Sequence, residues 1–511
     1  MSGFPLLTTI VLAPVAGALM ILLIPEKEER IIKITAAVAT FVSLVLSIYA
    51  FVAYDQELGG LQFLQDIIWV DRLGISYSVG VDGISLPLVL LTAIVIFSGV
   101  FASWDMHYRV KEFFIFLLIL VAGVFGVFIS RDLFFFYLFF EVAVIPMYVL
   151  IGVWGSTRKE YAAMKLTLYL LVGSAFALIG IIALYLYARS PAHLGFGTFN
   201  IMQLSTVQFD VSFQRFAFFL MMIGFGFLVP MWPLHTWSPD GHVAAPTAVS
   251  MLHAGVLMKL GGYGLIRAGV LLFPEGAKFW APLIAVLCIV NVVYGAMVAM
   301  VQRDLKFVIG YSSVSHMGYV LLGIASLNYL GLDGAVAQMF AHGIMTALFF
   351  ALVGNIYHKT GTREIAAFGG LAHQMPRVAA GFMIGGLASL GLPGLSNFAA
   401  EALIFLGSYS VEQVLFGWLH FRVLAILAIL GVVITAIYVL RVVQKVFFGP
   451  RNSRWDHLTD AHGVEMVPIV VLCGVLVLFG IFPSLLVDPI NVGVGPLVAK
   501  ITAAAEIGGI F

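Results

Sequence analysis

The sequence predicts an all-α integral membrane protein with about fourteen transmembrane helices. Of its 511 residues, 62% are hydrophobic and only 10% are charged, whereas about 25% of the residues in soluble domains are charged. The mean hydropathy is +1.07, and a water-soluble fold of this composition would expose large apolar patches. We therefore expect the lipid bilayer as its environment. The formal net charge of zero gives no reason to expect a nucleic-acid partner.

Apolar runs long enough to cross a bilayer recur along the whole chain. A transmembrane helix needs about 20 mostly apolar residues. The first run has no charged residue before it and ends in charges, so we expect a retained span rather than a cleaved signal peptide. The fourteen candidate spans lie at residues 4–24, 31–53, 84–104, 113–130, 133–154, 162–188, 213–233, 247–270, 279–301, 306–326, 332–357, 377–407, 418–447 and 465–487.

Basic residues lie mostly on one side of these spans. Of the 26 lysine and arginine residues, 17 lie in or beside connections that follow odd-numbered spans, and eight lie on the other side. Basic residues favour the cytoplasmic side of a membrane. The pattern predicts that the odd connections are cytoplasmic and that both termini are outside, as expected for a multi-pass protein of the bacterial inner (cytoplasmic) membrane.

Two spans contain helix breakers at corresponding positions. Three prolines lie between residues 230 and 239 in and just after span 7, and the sequence GLPG interrupts span 12 at residues 391–394. Proline removes a backbone donor and clashes with the preceding turn. Breaks five spans apart are typical of transporters built from inverted repeats, in which broken helices line the conducting path. Spans 4–8 and 9–13 are therefore predicted to form two inverted five-helix repeats.

These repeats divide one membrane domain, residues 1–511, into four parts. The direct sequence similarity between the two halves is weak, so the positions of the breaks carry this prediction. The parts are spans 1–3 at residues 1–110, the first repeat at 113–270, the second repeat at 279–447 and the last span at 465–487.

Three ionisable residues lie deep inside apolar spans. Glu141 is the only charged residue of span 5. Lys259 is the only one in the first twenty residues of span 8, and Glu401 is the only one between residues 378 and 411. A charge at the bilayer centre costs at least about 2.5–3.5 kcal/mol, so such residues are by default candidates for ion or proton movement. The alternative is a carboxyl group that only hydrogen-bonds to neighbouring helices, or a lysine that is permanently paired with a carboxylate.

Histidine residues are candidate relays between these charges. His316 lies in a polar stripe of span 10, and His342 lies in span 11. Histidine changes its charge near neutral pH, although a lone buried histidine is more often just hydrogen-bonded. Two histidines on adjacent spans favour a relay. His235, beside the first break, and His253, on the Lys259 helix, are weaker candidates.

No sequence motif indicates metal, nucleotide or covalent chemistry. The chain contains no HExxH, CxxC or nucleotide-binding loop. Cys288 and Cys473 both lie in apolar runs, so we expect packing residues rather than a disulfide or a metal site. We predict no metal site and no cofactor in this chain.

Several segments resemble the antiporter-like membrane subunits of respiratory complex I. The segment GISYSVGVDGISLPLVLLT at residues 74–92 is similar to the version in subunit M, the chain 4 type. The other segments are YLFFEVAVIPMYVLIGVWG, VPMWPLHTWSPDGHVAAPTA, HAGVLMKLGGYGLIR, YSSVSHMGY, MFAHGIMTALFF and GLPGLSNFAAEALI.

The resemblance implies a fourteen-helix fold with inverted repeats, and proton pumping coupled to NADH:quinone oxidoreduction elsewhere in the complex. It also implies other membrane subunits as partners, including neighbouring antiporter-like subunits. It implies no NADH, flavin or iron–sulfur cluster in this chain. By matching motifs, it assigns proton transfer to Glu141, Lys259 and Glu401, and relay roles to His316 and His342.

One position departs from the family pattern. Leu228 stands where the family has a lysine that pairs with the span-5 glutamate. Glu141 therefore lacks the cation that would stabilise its carboxylate. Arg215 lies at the far end of the same helix and is a poor substitute. His253 or His235 could replace the lysine as the switching cation.

Three other functions remain open. A multisubunit Na⁺/H⁺ antiporter has similar large subunits, although the VDGISLPL segment weighs against this alternative. A membrane-bound hydrogenase subunit is the second. The third is a non-pumping structural subunit, which the loss of the lysine at position 228 would suit.

Overall fold

The computed structural model describes residues 4–508 and is almost entirely helical. In the first half the helices are α1 (Leu6–Leu23), α2 (Glu29–Ala53), α3 (Ser85–Ala102), α4 (Val110–Ile129), α5 (Leu133–Trp154), α6 (Lys159–Ala188), the short α7 (Ile201–Leu204), α8 (Val211–Leu228), α9 (Trp237–Ala244), α10 (Thr247–Leu252) and α11 (Met258–Gly264). In the second half they are α12 (Pro274–Val301), α13 (Leu305–Ala325), α14 (Tyr329–Thr360), α15 (Pro376–Ser389), α16 (Ser396–Tyr409), α17 (Phe421–Val443), α18 (Met466–Ile481) and α19 (Ser484–Gly508).

Both predicted helix breaks are present. Span 7 is divided into α8 and α9, and span 12 into α15 and α16. Span 8 is instead one continuous helix, Thr247–Val270, in which α10 and α11 are joined and extended by π-helical turns at His253–Leu257 and Leu265–Val270. Fourteen helices of the described residues are long and apolar enough to cross a membrane, and the predicted fold class is confirmed.

Two spans form the interior of the bundle. The most apolar part of Thr247–Val270 and the most apolar part of α14 are both completely buried inside the protein. Lipid therefore does not reach these central parts of the two helices, which carry Lys259 and His342. Lys259 and His342 are surrounded by protein rather than by hydrocarbon tails, as expected for polar groups at membrane depth.

The helix α19 lies along one face of the bundle instead of crossing it. Asn491 donates to Asp333 at the start of α14 over 2.7 Å, and Lys500 donates to the carbonyl of Ser205 over 2.6 Å. Gly83 also packs directly on the backbone of Pro489. These three partners lie at connections that follow even-numbered spans, so they share one face. We name it the even face and the opposite side the odd face.

The prediction that the last span, residues 465–487, continues to residue 487 is therefore wrong. The helix α18 stops at Ile481, and α19 begins at Ser484. Pro483 disfavours a helical conformation at Phe482, which has φ −119° and ψ 67°. With α19 on the surface, the broken helix α15–α16 provides the remaining crossing and the number of crossings stays at fourteen.

The all-helical prediction also missed two hairpins. Strand β1 (Gln62–Val70) pairs antiparallel with β2 (Ile75–Val81). Strand β3 (Val414–Leu415) pairs with β4 (Leu419–His420). Both hairpins lie in connections after even-numbered spans, where a sequence search for long apolar runs gives no signal.

Candidate proton-transfer site

Lys259 and His342 make the central contact of the site. The Nζ atom of Lys259 lies 2.8 Å from Nδ1 of His342 and also donates to the carbonyl of Ala254. Both side chains are completely buried. Among the described residues, no carboxylate forms an ion pair with Lys259. The lysine can therefore exchange a proton with a neutral imidazole, because no fixed anion holds its charge in place.

Two glycines allow this contact. A Cβ atom at Gly343 would lie 2.5 Å from the carbonyl oxygen of Gly255. The helix of Lys259 and the helix of His342 therefore approach backbone to backbone, close to the lysine–histidine pair. The π-helical turn His253–Leu257 immediately precedes α11, which carries Lys259. Such turns are frequent at functional sites.

His316 and Glu401 continue the site from His342. The rings of His316 and His342 have centroids 5.2 Å apart. Nδ1 of His316 lies 3.5 Å from Oε1 of Glu401, which is an ion-pair distance when the histidine is protonated. Gln338 donates to the same carboxylate oxygen over 3.2 Å. We call the residues Lys259, His342, His316 and Glu401 the buried row.

The second helix break places groups on both sides of His316. Ser389, the last residue of α15, lies 3.1 Å from Nε2 of His316. Glu401 approaches the other ring nitrogen from α16. Gly391, between the two half-helices, has φ +61°, and a Cβ atom there would lie 2.5 Å from Oε2 of Glu401. This position therefore requires glycine for its backbone conformation and for the space that the carboxylate occupies.

Glu141 has a different environment. It is partly exposed on α5, and its Oε1 atom is buried without a hydrogen-bond partner in the described chain. Leu228 lines a small cavity together with Tyr137 and Phe140, the residues that flank Glu141 on α5. The leucine thus occupies the position from which a lysine would reach this helix. Arg215 packs against the ring of Phe279 instead, 4.4 Å from its centroid.

Asp132 fixes the start of α5 and with it the position of Glu141. Its carboxylate accepts from the backbone N–H groups of Phe134 and Phe135, a standard N-cap arrangement. The residue is completely buried, and burial raises the pKa of Asp132 to about 6, while backbone hydrogen bonds from Ser76, Phe135 and Phe134 oppose the shift.

The two weaker histidine candidates are not placed beside Glu141. His235 packs against Tyr294, with ring centroids 5.4 Å apart. His253 packs against His242 at 4.2 Å and against Trp237 at 5.1 Å. Both histidines are buried, and neither has a hydrogen-bond partner among the described residues. Of the two, His253 lies next to the buried row, since it precedes Lys259 on the same helix.

Two polar residues near the odd face were missed by the sequence reasoning. His242 is completely buried and contacts the hydroxyl of Ser238 over 3.0 Å. Lys306 donates to the carbonyl of Ala245 over 2.7 Å and to the hydroxyl of Ser250 over 3.3 Å. A signal existed for His242, because it closely follows the first helix break. The sequence indicated Lys306 only as one of the 17 basic residues in or beside the odd connections.

The comparisons with known proteins agree with this architecture. Residues 130–438 match the family described as NADH:quinone oxidoreductase/Mrp antiporter, TM. The chain is 39% identical over 489 residues to the NAD(P)H-quinone oxidoreductase chain 4 of Gloeobacter violaceus, which covers 95% of this chain and 91% of that protein. It is also 39% identical over 518 residues to a chain 4 of Synechococcus elongatus, with 99% and 95% covered.

Solved structures show the same fold. A chain of respiratory complex I from Thermus thermophilus superposes with a TM-score of 0.86 at 29% identity, over 96% of this chain and 99% of that chain. A chain of the Mrp complex from Dietzia superposes with a TM-score of 0.80 at 20% identity, over 98% and 97%. At this low identity the second match shows the fold alone. By family match and by near-complete coverage of its relatives, the chain belongs to the NADH:quinone oxidoreductase/Mrp antiporter family of transmembrane subunits, and within it resembles chain 4.

Proposed function

We propose that this chain translocates protons across the bacterial cytoplasmic membrane as a subunit of a quinone-reducing complex of the complex I type. The buried row is the observation that carries the proposal. It joins a lysine, two histidines and a glutamate in the interior of the bundle, with neighbouring groups 2.8 to 5.2 Å apart. Chemically, this is a row of proton donors and acceptors, and no described residue provides a fixed counter-ion at its lysine end.

The position of the row suits transfer through the middle of the membrane. Lys259 lies twelve residues from the start of its helix, which is about 18 Å of helical rise. Glu401 lies eight residues from the end of α16, about 12 Å from the even face. A proton given up by Lys259 can reach Glu401 through the two histidines and leave toward the even face or a neighbouring subunit. Each transfer changes the charge that the next group senses, so it changes the protonation preference of that group.

Redox chemistry in the proposal belongs to other subunits. The relatives are named NAD(P)H-quinone oxidoreductase chains, and the matching structure is a multisubunit complex I. Conformational and electrostatic changes from the redox subunits would shift the protonation of Lys259 and Glu401 in turn. The excess of basic residues on the odd face supports a cytoplasmic location for that face, with both termini outside.

Substitution of Glu401 tests the proposal. Glu401→Ala in the intact complex, reconstituted into vesicles, should lower proton pumping at least about tenfold, because it removes the terminal group of a proton-transfer row. Glu412→Ala is the matched control, since Glu412 is exposed and pairs only with Arg422 at the even face. A Glu401→Ala complex that assembles and pumps at the native proton-to-electron ratio would show a structural role instead.

The ion and the type of complex have separate tests. A Na⁺/H⁺ antiporter would show sodium-dependent proton exchange in vesicles, whereas the proposed complex should pump protons in sodium-free buffer. The subunits that copurify distinguish a quinone-reducing complex from a hydrogenase. Iron–sulfur proteins with a quinone-binding membrane subunit are the expected partners.

A further inference from the structure

A cavity of about 430 Å³ opens on the odd face of the bundle. Its lining comes from the connections that follow odd-numbered spans and from the adjoining ends of helices, including the end of α14 and the starts of α13 and α18. Asp105, His107 and His358 are exposed residues of this lining, and Glu465 contributes a carboxylate. Lys306 lies deeper and is only 3% exposed. Among the described lining residues, it is the only lysine or arginine.

Lys306 connects this cavity to polar groups in the interior. Its ammonium group donates to the carbonyl of Ala245 over 2.7 Å and to the hydroxyl of Ser250 over 3.3 Å. That hydroxyl in turn donates to the carbonyl of His242 over 2.8 Å. One serine side chain therefore connects the cavity lysine to the main chain of His242, whose side chain is completely buried.

Polar groups continue from His242 toward Lys259. The ring of His242 lies 4.2 Å from the ring of His253. His253 precedes Lys259 by six residues, about 9 Å of helical rise. Nδ1 of His242 and both ring nitrogens of His253 are buried without a partner in the described part of the chain. Such atoms almost always hydrogen-bond to water when no protein group is available, so a short water chain suits this segment.

The cavity beside α5 in the first half has a mainly apolar lining. The cavity between α5, α6 and α8 is small and is lined by Phe136, Phe140, Phe225 and Leu228, with Tyr137 and Ser174 as its only hydroxyl-bearing residues among those described. Phenylalanine and leucine side chains neither donate nor accept protons. A proton that reached Glu141 would find an aliphatic side chain where the family has an ammonium group.

We propose that protons enter from the odd face through the 430 Å³ cavity and that Lys306 takes them up and passes them toward Lys259, on a route that does not include Glu141. This inference rests on the proposed function and adds its uptake residue. In each cycle the ammonium of Lys306 releases one proton, to water or to His242, and becomes a neutral amine. A proton from the cavity then restores the ammonium.

The charged residues around Lys306 allow its side chain to alternate between the ammonium and the neutral amine. Asp304 lies two residues earlier on the chain but pairs with Arg363 over 3.1 Å. Arg363 also donates to the carbonyl of Val243 over 3.1 Å. The nearby carboxylate is thus neutralised by a permanent guanidinium cation, and no described carboxylate forms an ion pair with Lys306.

Three substitutions of Lys306 separate uptake from a purely structural role. Lys306→Met removes the charge, and Lys306→Arg keeps the charge and the hydrogen-bond donors but cannot release a proton. Both should lower pumping by reconstituted complex at least about tenfold while the complex still assembles. Lys306→His should restore part of the rate with a pH optimum shifted to lower pH, because imidazole titrates near pH 6.5 in place of about 10.4.

Lys33→Met is the control for these substitutions. Lys33 is a buried lysine on α2 that contacts Glu29, so a complex with Lys33→Met should pump normally. Native pumping by Lys306→Arg would show that the lysine only caps the C-terminal end of α9, and would overturn the inference. So would a larger loss in Glu141→Gln than in Lys306→Met. If Glu401→Ala stops pumping while every Lys306 variant pumps normally, the proposed function stands and the uptake site is wrong.

Discussion

The two halves of the molecule carry similar elements with very different surroundings. Each half has a broken helix and a membrane-embedded glutamate. In the second half, Glu401 lies 3.5 Å from His316 and accepts from Gln338. In the first half, Glu141 has a buried oxygen without a partner among the described residues, and Leu228 lies where the resemblance implies a lysine. A glutamate in a span is therefore not by itself a proton site, since its neighbours decide what it can exchange protons with.

The comparison also indicates how the proposed proton pumping can continue without a lysine at position 228. Lys259 belongs to the first half in sequence, yet its partner His342 lies in the second half. In the proposed function, the buried row therefore spans both halves and needs a connection to the odd face that can bypass Glu141. Substitutions that disrupt the buried row should consequently have much larger effects than substitutions around Glu141.

Loss of Lys259 should have the largest effect. Lys259→Met removes the group that connects the two halves, and proton pumping should fall at least about tenfold, in the range typical for removal of an acid–base group. Quinone reductase activity and vesicle acidification, measured together, check the result. Pumping similar to that of the Lys33→Met control would contradict a role for Lys259.

Separation of the two central helices should have the next largest effect. Gly343→Ala places a Cβ atom 2.5 Å from the carbonyl oxygen of Gly255, so the helices must move apart and lengthen the contact between Lys259 and His342. We expect a loss of pumping of about threefold to tenfold, since small misplacements of reacting groups are costly. Gly474→Ala is the matched control, because nothing lies within 4 Å of its added Cβ. Equal pumping by the two variants would show that the contact tolerates movement.

Restoring the family lysine tests the first half directly. Leu228→Lys should give Glu141 a cation and change the proton-to-electron ratio, by less than about twofold because the main route lies elsewhere. An unchanged ratio would count against an altered role for this half. The double variant Leu228→Lys/Glu141→Gln should assemble poorly, since removing one partner of a buried ion pair costs about 3–5 kcal/mol.

The smallest effect is expected at the start of α5. Asp132→Ala removes the N-cap and should cost about 1 kcal/mol of stability. Burial raises the pKa of Asp132 to about 6, so the folded protein holds this proton more tightly than the unfolded chain does. As the pH rises from about 4 to about 6, the stability of the native protein relative to Asp132→Asn should therefore fall, and above pH 6 the difference should stay constant. Thermal unfolding in detergent across this range measures the difference.

The sequence was sufficient for most of the fold because bilayer thickness sets the length of apolar runs. Proline and glycine likewise marked both helix breaks. The helix α19 was missed because Asp488, Pro489, Pro496 and Lys500 interrupt its apolar character, as suits a helix on the surface. The hairpin of β1 and β2 was missed because it lies in a connection, where hydropathy carries no information on strand pairing.

For the site, isolated charges in apolar spans identified the members of the buried row but not their contacts. The contact of Lys259 with His342 depends on tertiary packing through Gly255 and Gly343, and no local pattern encodes that pairing. Lys306 was missed because a lysine at the start of a span is normally solvated. Only the fold shows that it is buried between a cavity and Ser250.

The π-helical turn before Lys259 has a consequence for how the chain tolerates length changes. A π turn accommodates one residue more than an α turn, so His253–Leu257 behaves like a single-residue insertion in an otherwise regular helix. Deleting one residue from this turn would restore α-helical winding and rotate everything after it by about 100° relative to the preceding part. Lys259 would then point away from His342 although the composition of the helix had barely changed. The site is thus sensitive to the count of residues in this helix as well as to their identity.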